Sequence, residues 1–149
     1  MRLSFERYLL RLARASALRS GCVDRKVGAV VVDARNVVVG TGYNGLARGL
    51  PNCDDDDPCP GRRRSRCAAV HAEVNALISA GHRAIGGTIA TTCSPCIHCA
   101  GAIVNAGVVR VIVGELWKRH TEDLGTGWSP RDILHAAGIE LVDMTGTRR

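Results

Sequence analysis

The apolar positions change period several times along the chain, and each change marks an element. Over residues 4–20, Phe5, Leu9, Leu12, Ala13 and Ala17 fall near one helical face, with Ser4, Arg7, Arg11 and Arg14 opposite. Val27–Asp33 is β-branched and apolar and reads as a strand; Ala34-Arg35-Asn36 turns the chain, and Val37–Thr41 reads as a second strand. Strands joined that tightly form an antiparallel hairpin. Residues 45–69 lose the period. They hold Pro51, Pro58, Pro60, an acidic run Asp54–Asp57 and a basic run Arg62–Arg64, the composition of solvated loop. Helix resumes at about Val70 and stops near Gly81. Thr88–Thr92 is a short strand, and Pro95 opens a helix that runs to Gly107. Val108–Gly114 is a buried strand, Ser129-Pro130 starts another helix ending at Gly138, and Ile139–Asp143 is a last strand before a frayed tail.

The late alternation of strand and helix implies parallel strands with crossover helices. Joined to the hairpin, it predicts an α/β fold: a three-layer α/β/α sandwich around a mixed five-stranded sheet. The 149 residues suit a single domain, 1–149, with a cysteine-bearing insert at about 46–69 and no internal repeat. An apolar content of 46% excludes compositional disorder, and with only 3% aromatics the core must be Val, Ile, Leu and Ala. No apolar run reaches membrane-spanning length, so no membrane partner is expected. The Arg-rich start resembles a transit peptide but runs straight into the first strand, so it reads as part of the fold. A net charge of +6 suits phosphorylated or polyanionic partners, or simply a solvated surface. Seven cysteines without a secretory signal point to metal binding in a reducing, cytoplasmic compartment rather than to disulfides.

The chemistry gathers in two short runs, His71-Ala72-Glu73 and Pro95-Cys96-Ile97-His98-Cys99, each at a predicted helix start. Cys96 and Cys99 are three apart, so both sulfurs face one side of a helix, and a helix N-terminus favours thiolates. His71 supplies a third, neutral ligand. Three protein ligands leave one tetrahedral position open, the arrangement of a catalytic zinc rather than a structural one, where the metal makes hydroxide available near neutral pH. Glu73 sits beside the ligands without being one and suits a proton shuttle. A zinc knuckle with a closed ligand set would have no use for Glu73. The pattern His-x-Glu with Pro-Cys-x-x-Cys resembles the signature of zinc deaminases.

Beyond that signature, residues 5–143 resemble the deoxycytidylate (dCMP) deaminase family. The resemblance lies in Val27-Gly28-Ala29-Val30-Val31, Gly42-Tyr43-Asn44-Gly45, His71–Ala76 and the run Pro95-Cys96…Cys99-Ala100…Ile103…Asn105-Ala106-Gly107. It implies zinc-dependent hydrolysis of dCMP to dUMP, with Asn44 holding the sugar and backbone at Ala72 and Ser94 touching the cytosine. It places the 5′-phosphate contacts near Ser20…Arg25-Lys26, with Arg25 preferred over Lys26 because a guanidinium fork suits phosphate. It also implies a homohexamer and, in some members, regulation by dCTP and dTTP, with Mg2+ accompanying the allosteric nucleotide. Two departures bear on the base: Ala90 stands where the family carries Tyr, and Cys93 lies beside the metal motif. Either the pocket walls are smaller, admitting a 5-substituted deoxycytidylate, or the core is repacked.

The remaining cysteines form a second expectation. Cys22, Cys53, Cys59 and Cys67 flank or lie within an insert too polar to hold itself by apolar burial, and relatives carry cysteines there, so a second, structural zinc is expected. Asp54–Asp57 could supply an oxygen ligand, and unpaired surface thiols are the alternative. Gly40-Thr41-Gly42-Tyr43-Asn44-Gly45 fits a dinucleotide-binding pattern, but no helix follows it, which removes that reading. A tRNA adenosine deaminase shares the metal motif and would suit the basic charge. The insert and the Asn44 stretch argue against it, and against a nucleic-acid partner. A zinc-stabilised nucleic-acid-binding module using Arg62–Arg66 would need no open metal position.

Overall fold

The computed structural model of the chain describes residues 2–53, 67–116, 125 and 127–146. Helix α1 spans Phe5–Ala17 and is capped by Ser4, whose hydroxyl accepts the Arg7 N–H at 3.3 Å. Strands β1 (Gly28–Val32) and β2 (Val38–Tyr43) form the antiparallel hairpin. The Asp33 carboxylate closes its turn by accepting the N–H groups of Arg35 (3.0 Å) and Val37 (2.9 Å). Asn36 takes the left-handed conformation at φ 64°, which its short polar side chain tolerates. Then follow α2 (Ala72–Ala80), a 3-10 turn (Gly81–Ala84), β3 (Thr88–Thr91), α3 (Ile97–Asn105), β4 (Arg110–Val113), α4 (Pro130–Ala136) and β5 (Glu140–Asp143). Helix α4 opens on a reciprocal cap between Ser129 and Asp132.

The five strands lie in the order β2-β1-β3-β4-β5. Strand β1 pairs antiparallel with both β2 and β3, whereas β3, β4 and β5 run parallel. Alternation along the strands sorts the core into two layers. Ala29, Val31, Ile89, Val111 and Val113 face α2, α3 and α4 through Ala72, Ala76, Leu77, Ala100, Ile103 and Leu134. Val30, Val32, Ala90 and Ile112 face α1 through Leu9, Leu10 and Ala13. The expected α/β/α sandwich is therefore the architecture, with a core of small aliphatic side chains. No described helix is long and apolar enough to cross a membrane.

The helix starts shift inward from the expected positions. Helix α2 begins at Ala72 rather than Val70, because Val70 pairs with Gly45 in an isolated antiparallel bridge (N···O 2.8 and 3.2 Å). Helix α3 begins at Ile97 rather than Pro95, because Cys96 takes an extended conformation and caps the helix through its sulfur. His71 and Cys96 are thus both N-cap residues. Residues 54–66, which include the Asp54–Asp57 run, Cys59 and Arg62–Arg64, lie outside the described residues.

Gly40 and Gly42 of the Gly40–Gly45 run have a packing role. A Cβ on Gly40 would sit 2.4 Å from the Ala76 carbonyl oxygen, and one on Gly42 2.3 Å from both the Ala72 carbonyl oxygen and the Ala76 nitrogen. Helix α2 answers with Ala72, Ala76 and Ala80 at four-residue spacing, so its backbone lies directly on β2. Gly42→Ala is expected to cost about 1–3 kcal/mol by overpacking. Turnover should fall with it, because the clash lands on the carbonyl between His71 and Glu73. Denaturant unfolding and turnover, compared with the exposed-site control Thr41→Ala, check this. A Gly42→Ala protein as stable and active as the control would show that α2 is not seated on these glycines.

Candidate active site

The two N-caps bring their side chains together at one end of the sheet. His71 Nδ1 lies 3.5 Å from Cys96 Sγ and 3.4 Å from Cys99 Sγ. All three ligand atoms fall within 4.8 Å of one another, the sole such cluster of three or more His, Cys, Asp or Glu among the described residues. Zinc bond lengths of about 2.3 Å to sulfur and 2.0–2.1 Å to nitrogen at tetrahedral angles call for an N···S edge of about 3.5 Å. The donor set and its spacing therefore fit zinc. Cys96 Sγ also accepts the Cys99 backbone N–H at 3.5 Å, so the helix end favours a thiolate there. The hydrogen bond from Cys99 and then the neighbouring imidazole pull the Cys96 thiol down, while that same sharing and burial push Cys99 up. His71 is raised by its bond to Cys96 against the opposing effect of burial. A bound cation would displace the protons of these ligands.

Glu73 follows in the first turn of α2 and is 3% exposed. Its Oε2 lies 3.7 Å from Cys99 Sγ and its Oε1 3.5 Å from the buried hydroxyl of Thr91. Burial pushes its carboxyl up from 4.5 to about 7, partly opposed by its backbone hydrogen bond and the charge of His71. A carboxyl that gains and loses a proton near neutrality, beside a metal cluster, has the properties of a general acid and base.

The other predicted contacts sit around this centre. Asn44 ends β2's extension and is held from three sides. Its Oδ1 accepts the Val27 N–H (2.8 Å) and the Ser20 hydroxyl (2.8 Å), and its Nδ2 donates to the Arg25 carbonyl (2.8 Å). Arg25 Nη2 pairs with Glu115 Oε2 at 2.9 Å, and Lys26 is exposed. Glu115 in turn takes the N–H of buried Ser94 on its carbonyl (2.8 Å). Ala72 is fully buried at the start of α2. Sequence reasoning did not find Glu115 or Thr91. Glu115 is far from Arg25 along the chain, and only the β-strand alternation that buries Thr91 on the α2 side could have signalled the latter.

One expectation changes. Ala90 packs against Leu9, Leu10 and Ala13 of α1, on the sheet face away from α2 and α3, so it is a repacked core position and not a pocket wall. The motive it gave for a 5-substituted base falls away. Cys93 is buried beside the site, its thiol pushed up to about 11 mainly by that burial. Cys22, Cys53 and Cys67 form no cluster of three ligand atoms among the described residues, and Cys59 is not among them.

Comparison with known proteins places this geometry. Residues 3–115 match the family model described as the cytidine and deoxycytidylate deaminase zinc-binding region. Deoxycytidylate deaminase of Schizosaccharomyces pombe is 34% identical over 93% of this chain, which spans 43% of that relative's length. Deoxycytidylate deaminase of Mycobacterium phage D29 is 40% identical over 72% of this chain and 92% of its own. The crystal structure of a dCMP deaminase from cyanophage S-TIM5, in complex with dCMP and dUMP, superposes with a TM-score of 0.76 at 26% identity over 97% of this chain and 99% of that one. With its zinc-type donor set, buried acid and sheet order in place, the chain belongs to the cytidine and deoxycytidylate deaminase family through its zinc-binding region.

Proposed function

We propose that this chain hydrolyses the exocyclic amine of dCMP, giving dUMP and ammonia. The observation that carries the reading is the buried Glu73 carboxyl set against the His71, Cys96 and Cys99 cluster at two converging helix starts. The names of the relatives and the nucleotides bound in the phage structure support the choice of substrate. Zinc held by His71, Cys96 and Cys99 would supply an activated water at neutral pH. Glu73 takes a proton from the attacking water on one carboxylate oxygen, delivers it to the ring nitrogen, and carries a second to the departing amine. Its burial keeps this exchange away from bulk water. Ala72 and Ser94 line the base. Asn44 holds the sugar. Arg25, with Lys26 behind it, meets the 5′-phosphate by exchanging part of its contact with Glu115. The zinc-loaded protein should release ammonia from dCMP with a far higher kcat/KM than from deoxycytidine, and Glu73→Gln should keep its metal while losing about 100- to 10,000-fold in turnover. Activity within tenfold of the parent would remove Glu73 from the shuttle role.

The raised carboxyl also sets a stability signature in chelator-treated protein. Below pH 4.5 the folded and unfolded chains both carry the proton, and burial of Glu73 costs nothing extra. Between 4.5 and about 7 the unfolded chain releases its proton first, so stability falls as pH rises and levels off above the folded value. At about 1.4 kcal/mol per unit the loss is on the order of 3 kcal/mol. Glu73→Gln lacks this dependence. Urea unfolding of both proteins at pH 5 and pH 8 should show the variant gaining on the parent at the higher pH; an unchanged difference would contradict the burial cost.

The reading extends to a second, structural zinc on Cys22, Cys53, Cys59 and Cys67. Cys22 Sγ accepts the Arg25 N–H at 3.5 Å and Cys67 Sγ the Ala69 N–H at 3.4 Å. Thiolates are strong zinc ligands. Metal analysis should find two zincs per chain. Cys53→Ser should lose one and melt earlier while retaining some activity, and a single zinc in protein purified without chelator would overturn this site.

A further inference from the structure

Asn44 has a hydrogen-bonding capacity that can be counted. A side-chain amide offers two lone pairs on oxygen and two N–H groups on nitrogen. The Val27 N–H can only donate and the Arg25 carbonyl can only accept, so these two neighbours fix which end of the amide is oxygen. Val27 donates to Oδ1, and the single Ser20 proton is shared between Oδ1 and the Asn44 carbonyl oxygen, so Oδ1 has both its lone pairs approached by donors. With Arg25 on Nδ2, one N–H is left for a ligand among the described residues.

Ser20 adds the third contact that holds the amide in that state. It is 2% exposed, at the end of the turn that follows α1. Its Oγ lies 2.8 Å from Asn44 Oδ1 and 2.7 Å from the Asn44 carbonyl oxygen, and it accepts the Cys22 N–H at 3.2 Å. Its one proton is committed to Asn44, and the group is buried, so Ser20 is not a phosphate donor. We propose that Ser20 is a positioning residue that locks the Asn44 amide so that it presents a single N–H to the sugar of the nucleotide. This rests on the reading of Asn44 as the sugar contact. Deoxyribose in a 5′-nucleotide carries one hydroxyl, at the 3′ position. Of the sugar's two acceptors, the ring oxygen and the 3′ hydroxyl, Asn44 is assigned the 3′ oxygen, and the hydroxyl's own proton must then go elsewhere.

The test compares dCMP with 2′,3′-dideoxycytidine monophosphate on the zinc-loaded protein. Ser20→Ala should raise KM for dCMP about 5- to 10-fold with kcat within threefold, and should change KM for the dideoxy substrate less than twofold. Ser20→Thr, which keeps the hydroxyl, should restore KM for dCMP to within about threefold of the parent. If Ser20→Ala does not fold, Ser20→Cys, similar in size with a weak donor, should show the same substrate-dependent penalty in smaller measure. A penalty equal for both substrates, or a loss confined to kcat, would overturn the proposal and leave Ser20 a purely structural tether. If the unaltered protein does not distinguish the two substrates, the sugar reading of Asn44 fails and the proposal fails with it. If it does distinguish them and Ser20→Ala preserves that discrimination, the proposal alone fails.

Discussion

The backbone of α2 rests on the backbone of β2, and the position of every reacting group on that side follows from this contact. Gly40 and Gly42 remove the side chains that would hold the two apart, and Ala72, Ala76 and Ala80 keep the helix face flat. Such an approach leaves the helix little room to slide or tilt. His71 and Glu73 therefore enter the site from a fixed platform. The same device recurs under α1, where a Cβ on Gly28 would sit 2.0 Å from the Ala13 carbonyl oxygen. A core built from Ala, Gly, Val and Ile stands in for the bulky aromatics the composition lacks. It gains from close contact what it gives up in side-chain area.

On this frame the chain concentrates groups that stabilise negative charge and then buries a carboxyl among them. Two helix N-termini point at the cluster, and both ligand-bearing caps use their side chains for the metal-type site. Glu73 opposes this arrangement, because it is desolvated and lies beside two sulfurs. Its carboxyl is held above the ordinary range by burial, which outweighs its backbone hydrogen bond, and the buried Thr91 hydroxyl stands off at 3.5 Å. A fully solvated carboxylate would be a poorer base, so the dominance of burial over hydrogen bonding suits a proton carrier.

Much of this was readable in the sequence because it is local. The periodicity of α1, the β-branched run of β1 and the Asn36 turn each depend on neighbours within one element. His71 with Glu73, and Cys96 with Cys99, are paired by helical spacing. What escaped detection depends on which face a residue takes or on distant partners. Ala90 and Thr91 are adjacent, yet one packs on α1 and the other touches Glu73. Strand alternation says that they differ, but only the topology says which way. The Arg25–Glu115 pair joins the loop before β1 to the end of β4, which neighbour each other only once β3 is inserted between their strands. The helix boundaries moved because His71 and Cys96 leave the helix to serve as caps, and propensity does not record that.

The bridge between Gly45 and Val70 closes the chain on itself just before His71. The chain leaves that clasp after Gly45 and returns to it at Val70. Lengthening a closed loop costs little, growing only with the logarithm of its length. The clasp therefore lets the length of the intervening chain vary without moving the platform that aims the metal ligands. Over evolutionary time, segments of different length and chemistry could be exchanged there while the reacting groups stayed in register.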